Sequence, residues 1–259
     1  MGDFLNENLW ERCHFAPSEN VLLAGSTASF AQSSDVEAWK GLRLSYDHSF
    51  LSNSEDYWPE SYNGFSIGYE HAFKVAKKAP LFIQTGASLN LSFAKYDFNE
   101  WDEYVEAESR DEYKQTLMGL TIPVNFVYGV KVNDNLAIKP YTGFYVRVNL
   151  MGKEKNEWNE FNNYVGTYPY GYYEEEVEKE TYNLFDNGED DMDGEAWKRV
   201  QAGWQIGVTF DIKKFNIGVE YGLDFNRIAN SYEWDEAIDD EVKKDNKLSH
   251  VSVRLGYNF

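Results

Sequence analysis

From about residue 36 onward the chain alternates apolar and polar residues in eight separate stretches. The last, "HVSVRLGYNF", sets Val251, Val253, Leu255, Tyr257 and Phe259 on one side and His250, Ser252, Arg254, Gly256 and Asn258 on the other. "FNIGVEYGLDFN" and "LAIKPYTGFYVRVNL" repeat the pattern. A period of two places successive side chains on opposite faces of a β-strand, so each strand divides an apolar medium from a polar one. The predicted strands fall near 38–50, 62–73, 81–96, 115–132, 136–151, 198–212, 215–228 and 248–259, joined by connections 51–61, 74–80, 97–114, 133–135, 152–197, 213–214 and 229–247.

Long and short connections alternate. "NDN" at 133–135 and "KK" at 213–214 read as tight hairpin turns. One end of the array therefore carries short turns and both termini, and the other carries the long loops. The even strand count and this asymmetry predict an all-β fold, an eight-stranded antiparallel up-and-down transmembrane β-barrel with short periplasmic turns and long extracellular loops.

The glycines indicate which face points outward. Gly41, Gly64, Gly68, Gly86, Gly119, Gly129, Gly143, Gly203, Gly207, Gly218, Gly222 and Gly256 fall on the polar side, and none falls on the apolar side. The apolar side holds rings such as Phe65, Tyr69, Phe126, Phe144, Phe215 and Tyr221. An eight-stranded barrel has an interior only wide enough for side chains, so the bulky face is predicted to face lipid. It carries no Asp, Glu, Lys or Arg between its ends. The polar face carries Arg43, Lys131, Lys139, Arg147 and Arg254 against Asp47, Glu70, Asp211, Glu220 and Asp224, a neutral set. Buried charges require partners. An ionic cluster of Arg43, Glu70, Glu220 and Arg254, with Asp47, Arg147 and Asp224, is therefore expected to plug the lumen.

Composition narrows the remaining classes. Across 259 residues a formal charge of −20 opposes nucleic-acid binding. Cys13 is the single cysteine, which excludes an intramolecular disulfide and any C-x-x-C motif. No apolar run reaches the length of a transmembrane helix. Residues 1–32 differ from the rest. "VLLAGSTASFAQ" resembles the end of a secretory signal with cleavage after Ala31, whereas "MGDFLNENLWERCHFAPSEN" lacks a basic, apolar start. Two readings stand for it, a displaced start or a disordered tail, ahead of a barrel domain at 33–259.

The terminal "VSVRLGYNF", the strand "LTIPVNFVYGVKV" and the "ASFAQ" end resemble the small porin-like outer-membrane β-barrel proteins of Bacteroidota. The resemblance spans roughly residues 36–259. It implies residence in a Gram-negative outer membrane after export through the periplasm. It also implies that Tyr257 and Phe259 act as the signal read by the barrel-insertion machinery.

Chemistry outside the lumen is sparse. Glu189, Asp191, Asp193 and Gly194 in the 152–197 loop resemble the start of a calcium loop, but Val200 stands where a closing Glu belongs. Ca²⁺ or Mg²⁺ held loosely by Asp190, Asp191 and Asp193 is the most this allows, and no cofactor is expected. "NNYVGTYPYGYY" offers a tyrosine-rich contact surface or an aromatic girdle. No nucleophile and base can be paired around His14, His48, His71 or His250. The expectation is a non-enzymatic, plugged barrel in envelope structure or surface binding. Its partners would be outer-membrane lipid, lipopolysaccharide and an unidentified extracellular ligand. A narrow diffusion channel is the alternative, followed by a lipid-modifying enzyme and a soluble ligand-binding barrel.

Overall fold

The computed structural model describes residues 36–52, 59–102, 107–163, 173–186, 197–235 and 240–259. Twelve strands follow one another: β1 (Lys40–Leu51), β2 (Ser61–Lys74), β3 (Leu81–Asp102), β4 (Ala107–Tyr128), β5 (Val130–Asn133), β6 (Leu136–Asn163), β7 (Tyr173–Asn183), β8 (Val200–Ile212), β9 (Phe215–Asp224), β10 (Ala229–Asp235), β11 (Asp240–Asn246) and β12 (Leu248–Asn258). Eight of them form the barrel, in the order β4-β3-β2-β1-β12-β9-β8-β6, and pairing of β4 with β6 closes it. Every pairing is antiparallel, and the last strand meets the first from Gly41↔Asn258 to Leu51↔Leu248. The predicted eight-stranded barrel is therefore the observed one.

Its wall is apolar outside and polar inside. Leu44, Phe65 and Leu255 are 57%, 63% and 57% exposed, while Arg43, Glu70, Asn125, Gln205 and Glu220 are buried. In water such a surface would cost roughly 1.5–3 kcal/mol for each large side chain. In lipid it is the required exterior. On β3 the outward residues Ile83 and Phe93 stand ten steps apart, and Lys95 follows as the next outward residue. Ten steps of ~3.3 Å, tilted by about 40°, span roughly 25 Å, the height of the apolar band of such barrels.

At the short-turn end, the Lys213–Lys214 turn joins β8 to β9, with Lys213 at φ 58°. In the β5–β6 turn the backbone N–H of Asn135 donates to Oδ1 of Asn133 (2.9 Å). Phe259 N–H donates to the carbonyl of Lys40 (2.9 Å), tying the C-terminus to the start of β1.

The opposite end departs from the sequence expectation. Three of the connections read as long loops carry strands. β3 and β4 run on as a hairpin to Asp102↔Ala107 through 97–114. β6 continues to Asn163 and pairs with β7 inside 152–197. β10 and β11 form a hairpin inside 229–247. Alternation there lies between one polar face and another, so the hydrophobic contrast that marks a membrane strand is missing. A bulge at Leu150 re-phases β6, because Gly119 pairs with Asn149 and Met118 with Met151.

Apolar clusters lie inside the lumen at both ends. Toward the short turns, Val36 and Trp39 precede β1 and pack with Ala72, Phe82, Val127 and Tyr141. The Trp39 ring lies 4.9 Å from that of Phe82, and Lys139 Nζ sits 3.3 Å from the Trp39 ring centre. Toward the long connections, Leu51, Tyr62, Ala94, Leu117 and Leu248 close in with Phe185, Trp197, Ile228 and Ala229.

Candidate functional site

Between the two apolar clusters lies the ionic set, built from alternate residues of β1, β2, β6, β8, β9 and β12. Arg43 Nε approaches Glu70 Oε2 at 2.9 Å, and Arg254 bridges Glu70 (3.3 Å) and Glu220. The register explains the meeting. Arg43 lies opposite Gly256 on β12 and Gly68 on β2, and Arg254 lies opposite Gly218 on β9. Each long side chain spreads over a glycine toward a carboxylate two residues along. Glu70 also accepts from Gln84 Nε2 (2.5 Å), and Glu220 from the Tyr141 hydroxyl (2.9 Å). His250 Nε2 stands 3.7 Å from Glu220.

Higher in the lumen Arg147 lies 3.4 Å from Asp224, which also accepts a hydrogen bond from Tyr145. Lower down Lys139 donates to Asp211 (2.5 Å). Asn258 links that pair to the main cluster by accepting from Arg43 (2.9 Å) and donating to Asp211 (3.1 Å). The structure thus brings together Arg43, Glu70, Glu220 and Arg254, and separately Arg147 with Asp224. Asp47 lines the same cavity, where it accepts from Ser45 (2.9 Å) and forms no ion pair among the described residues.

One expectation about the lumen needs correction. Lys131 pairs with Asp134 in the short turn, 3.0 Å away, and does not join the lumen network. Removing it leaves Arg43, Lys139, Arg147 and Arg254 against Asp47, Glu70, Asp211, Glu220 and Asp224, four cations to five anions. The polar side of the strands also carries rings into the lumen, Tyr141 and Tyr145 on β6 together with Tyr62 and Phe82. Neighbouring glycines make room for them. A Cβ on Gly203 would lie 2.3 Å from the Tyr145 ring, and one on Gly207 2.4 Å from the Tyr141 hydroxyl. An aromatic laid over a glycine in the next strand was legible as a pattern, but only once the register was known.

Beside the network a cavity of about 80 Å³ is lined by Ser45, Ser66, Ser88, Asn90, Ser92 and Thr121. Its size and lining suit several water molecules. Among the described residues no group of His, Cys, Asp and Glu is arranged to hold a metal ion. Asp190, Asp191 and Asp193 lie outside the described residues, as does most of the tyrosine-rich stretch. On the outer wall His48 Nδ1 and the Tyr46 hydroxyl both meet Oδ1 of Asn63, at 2.8 and 2.6 Å. Tyr257 and Phe259 are exposed on the lipid side at the short-turn end, with rings 5.9 Å apart.

Residues 30–230 match the family model described as the outer membrane protein beta-barrel domain. The chain belongs to this family. It is a transmembrane β-barrel of the outer membrane, which an apolar wall around a polar lumen requires on physical grounds as well. No protein of curated function matches the sequence. Among solved structures the barrel is similar to Ail, the attachment invasion locus protein of Yersinia pestis, in complex with the heparin analogue sucrose octasulfate. That match has 14% identity and a TM-score of 0.31, over 86% of this chain and 100% of that one. It is also similar to Neisserial surface protein A, with 11% identity and a TM-score of 0.39 over 85% and 97%. The translocator domain of the autotransporter NalP from Neisseria meningitidis matches at 10% identity with a TM-score of 0.26, over 90% and 92%.

Proposed function

We propose that this outer-membrane barrel is a sealed, non-enzymatic mount for its extracellular hairpins, working in envelope structure or surface binding. One observation carries the reading: apolar clusters occupy both ends of a lumen whose middle is filled by paired charges. An ion crossing it would shed water at each apolar cluster and then displace a bridged carboxylate, two costs in series. The hairpins β3–β4 and β6–β7 extend the wall upward and hold their residues on a hydrogen-bonded sheet. Binding surfaces on such a base lose little entropy on contact. The terminal Tyr257 and Phe259 would serve insertion, and the lumen cluster would serve stability.

The test is single-channel recording of the refolded full chain in a planar bilayer, with insertion verified independently. Silence is expected. Steady conductance of inserted barrels would replace this reading with a narrow diffusion channel.

A further inference from the structure

Charge does not balance between the two apolar clusters. Among the described residues Arg43, Lys139, Arg147 and Arg254 stand in this closed part of the lumen against Asp47, Glu70, Asp211, Glu220 and Asp224. Each of these cations is committed to a carboxylate: Arg43 to Glu70, Arg254 to Glu70 and Glu220, Arg147 to Asp224, and Lys139 to Asp211. Asp47 is the anion left over. A net charge enclosed away from bulk water is costly unless an opposite charge sits beside it.

The surroundings of Asp47 are hydroxyl oxygens. Asp47 lies opposite Ser252 on β12 and Gly64 on β2, and Gly64 lies opposite Ser92 on β3. A Cβ on Gly64 would come within 2.7 Å of the Ser92 hydroxyl, so in that row only a glycine separates this oxygen from Asp47. Asp47, Ser92 and Ser252 all line the chamber of about 80 Å³. Ser252 is 2% exposed, and its hydroxyl, like those of Ser49, Ser88 and Ser92, takes no hydrogen-bond partner among the described residues. Water can serve these hydroxyls, because the chamber has room for several molecules. Water cannot cancel a charge.

We propose that the chamber holds one alkali-metal cation, Na⁺ or K⁺, bound by the Asp47 carboxylate and the hydroxyls of Ser92 and Ser252, with water completing its shell. A surplus of one negative charge matches a monovalent ion, and a divalent ion would overshoot it. Neutral oxygens that replace the hydration shell are the ligands such an ion takes inside a protein. One carboxylate among hydroxyls is a poor divalent centre, since calcium sites draw on several carboxylates and carbonyls. The proposal rests on the sealed-lumen reading, because in an open lumen bulk ions would balance Asp47 without a site. A proton on Asp47 or on His250 is the competing means of balance.

The experiment refolds the full chain in detergent micelles with radioactive sodium, or with radioactive rubidium as a stand-in for potassium. Gel filtration into N-methylglucamine chloride then removes the free ions. The wild type is expected to retain roughly one ion per barrel of at least one tracer, the number that cancels the surplus charge. Asp47→Asn should retain none. Ser252→Ala keeps the charge and loses one ligand, so it should release the ion at least about tenfold faster, the least that a polar contact to a charge is worth. Asp134→Asn, in the exposed β5–β6 turn, should retain as much as the wild type, which separates the lumen from surface carboxylates. Heat-modifiable gel mobility checks that each variant folds. Wild-type barrels that pass no current and retain neither tracer would overturn this proposal alone, since a proton would then balance Asp47. Barrels that conduct and retain neither would overturn the sealed-lumen reading with it. Undiminished retention by Asp47→Asn, or an unchanged release rate in Ser252→Ala, would place the ion elsewhere and overturn the proposal as well.

Discussion

Replacing Arg254 with Met tests whether the lumen network holds the barrel together. Among the described residues Arg254 is the one cation that touches both Glu70 and Glu220. Removing it leaves Glu70 with Arg43 and Gln84, and leaves Glu220, among those residues, with the Tyr141 hydroxyl and His250. At an effective dielectric of about 20, a pair 3.3 Å apart is worth at most about 5 kcal/mol. Breaking a buried pair typically costs ~3–5 kcal/mol. A ceiling comes from proton uptake. A stranded carboxylate can be protonated instead, and from a reference pKa of about 4.3 that costs roughly 3.7 kcal/mol at pH 7. The same step costs about 1 kcal/mol at pH 5. The variant should therefore lose about 3–4 kcal/mol near neutral pH and much less at pH 5, since lower pH makes the compensating proton cheaper. Urea unfolding of the full chain in lipid vesicles, followed by tryptophan fluorescence, reads both values. Adding Glu220→Gln to Arg254→Met should restore about 2 kcal/mol at pH 7, because the stranded charge is gone. A loss below about 1 kcal/mol at pH 7, or an equal loss at both pH values, would refute the reasoning.

Three further outcomes follow from the wall, a turn and the extracellular sheet. Val253→Lys puts a charge in the middle of an outward run on β12 and should cost about 2–4 kcal/mol of folding into bilayers. Normal refolding yield and stability would overturn the outward assignment of Val253. Lys213→Gly removes a side chain from a left-handed turn position (φ 58°) and should stabilise by up to about 1 kcal/mol in the same unfolding assay. In the extended hairpin, Lys114 and Lys95 hold the Glu112 carboxyl below its ordinary 4.5, and Lys179 does the same for Glu157. A lowered carboxyl pKa contributes stability that is complete above the unfolded value and disappears as pH falls through the folded one. Hydrogen exchange should therefore show β3–β4 and β6–β7 amides beyond the wall loosening below pH 4.5, while amides within the wall stay protected.

How much could be read from the chain depends on what each segment borders. The wall strands separate lipid from a polar lumen, so residues such as Val219 and Glu220 alternate sharply and their strands are legible. Above the wall Lys95, Asp97, Glu112 and Lys114 are polar on a sheet with water around it, and period two disappears from view. Pairing of Arg254 with Glu70 and Glu220 was within reach because opposite charges stood at similar heights on strands that closure makes neighbours. The link from Lys139 through Asp211 and Asn258 to Arg43 was not. It joins β6, β8, β12 and β1 by diagonals that only the register fixes. The apolar clusters escaped for a related reason. Leu51 falls in a predicted connection, while Tyr62, Leu117 and Leu248 stand on the polar side of predicted strands as single apolar residues, and only the closed barrel brings them together with Phe185 and Trp197.

Those clusters separate sealing from stability, and the separation can be measured. If the ionic network alone closed the lumen, Arg254→Met would conduct as soon as it folded. With apolar clusters at both ends it should remain silent, although it is weakened. Phe82→Ala trims the cluster beside Trp39, and Trp197→Ala trims the one beside Tyr62 and Leu248. Each removal costs about 3–5 kcal/mol, so folding must be verified by gel mobility before recording. Two barriers in series fail only together. Either single variant should stay closed, and the double variant combined with Arg254→Met should pass current. A single truncation that conducts would show that one cluster does not seal. A triple variant that stays silent would mean that the chains around Arg43, Glu70 and Arg147 fill the lumen without help from either end.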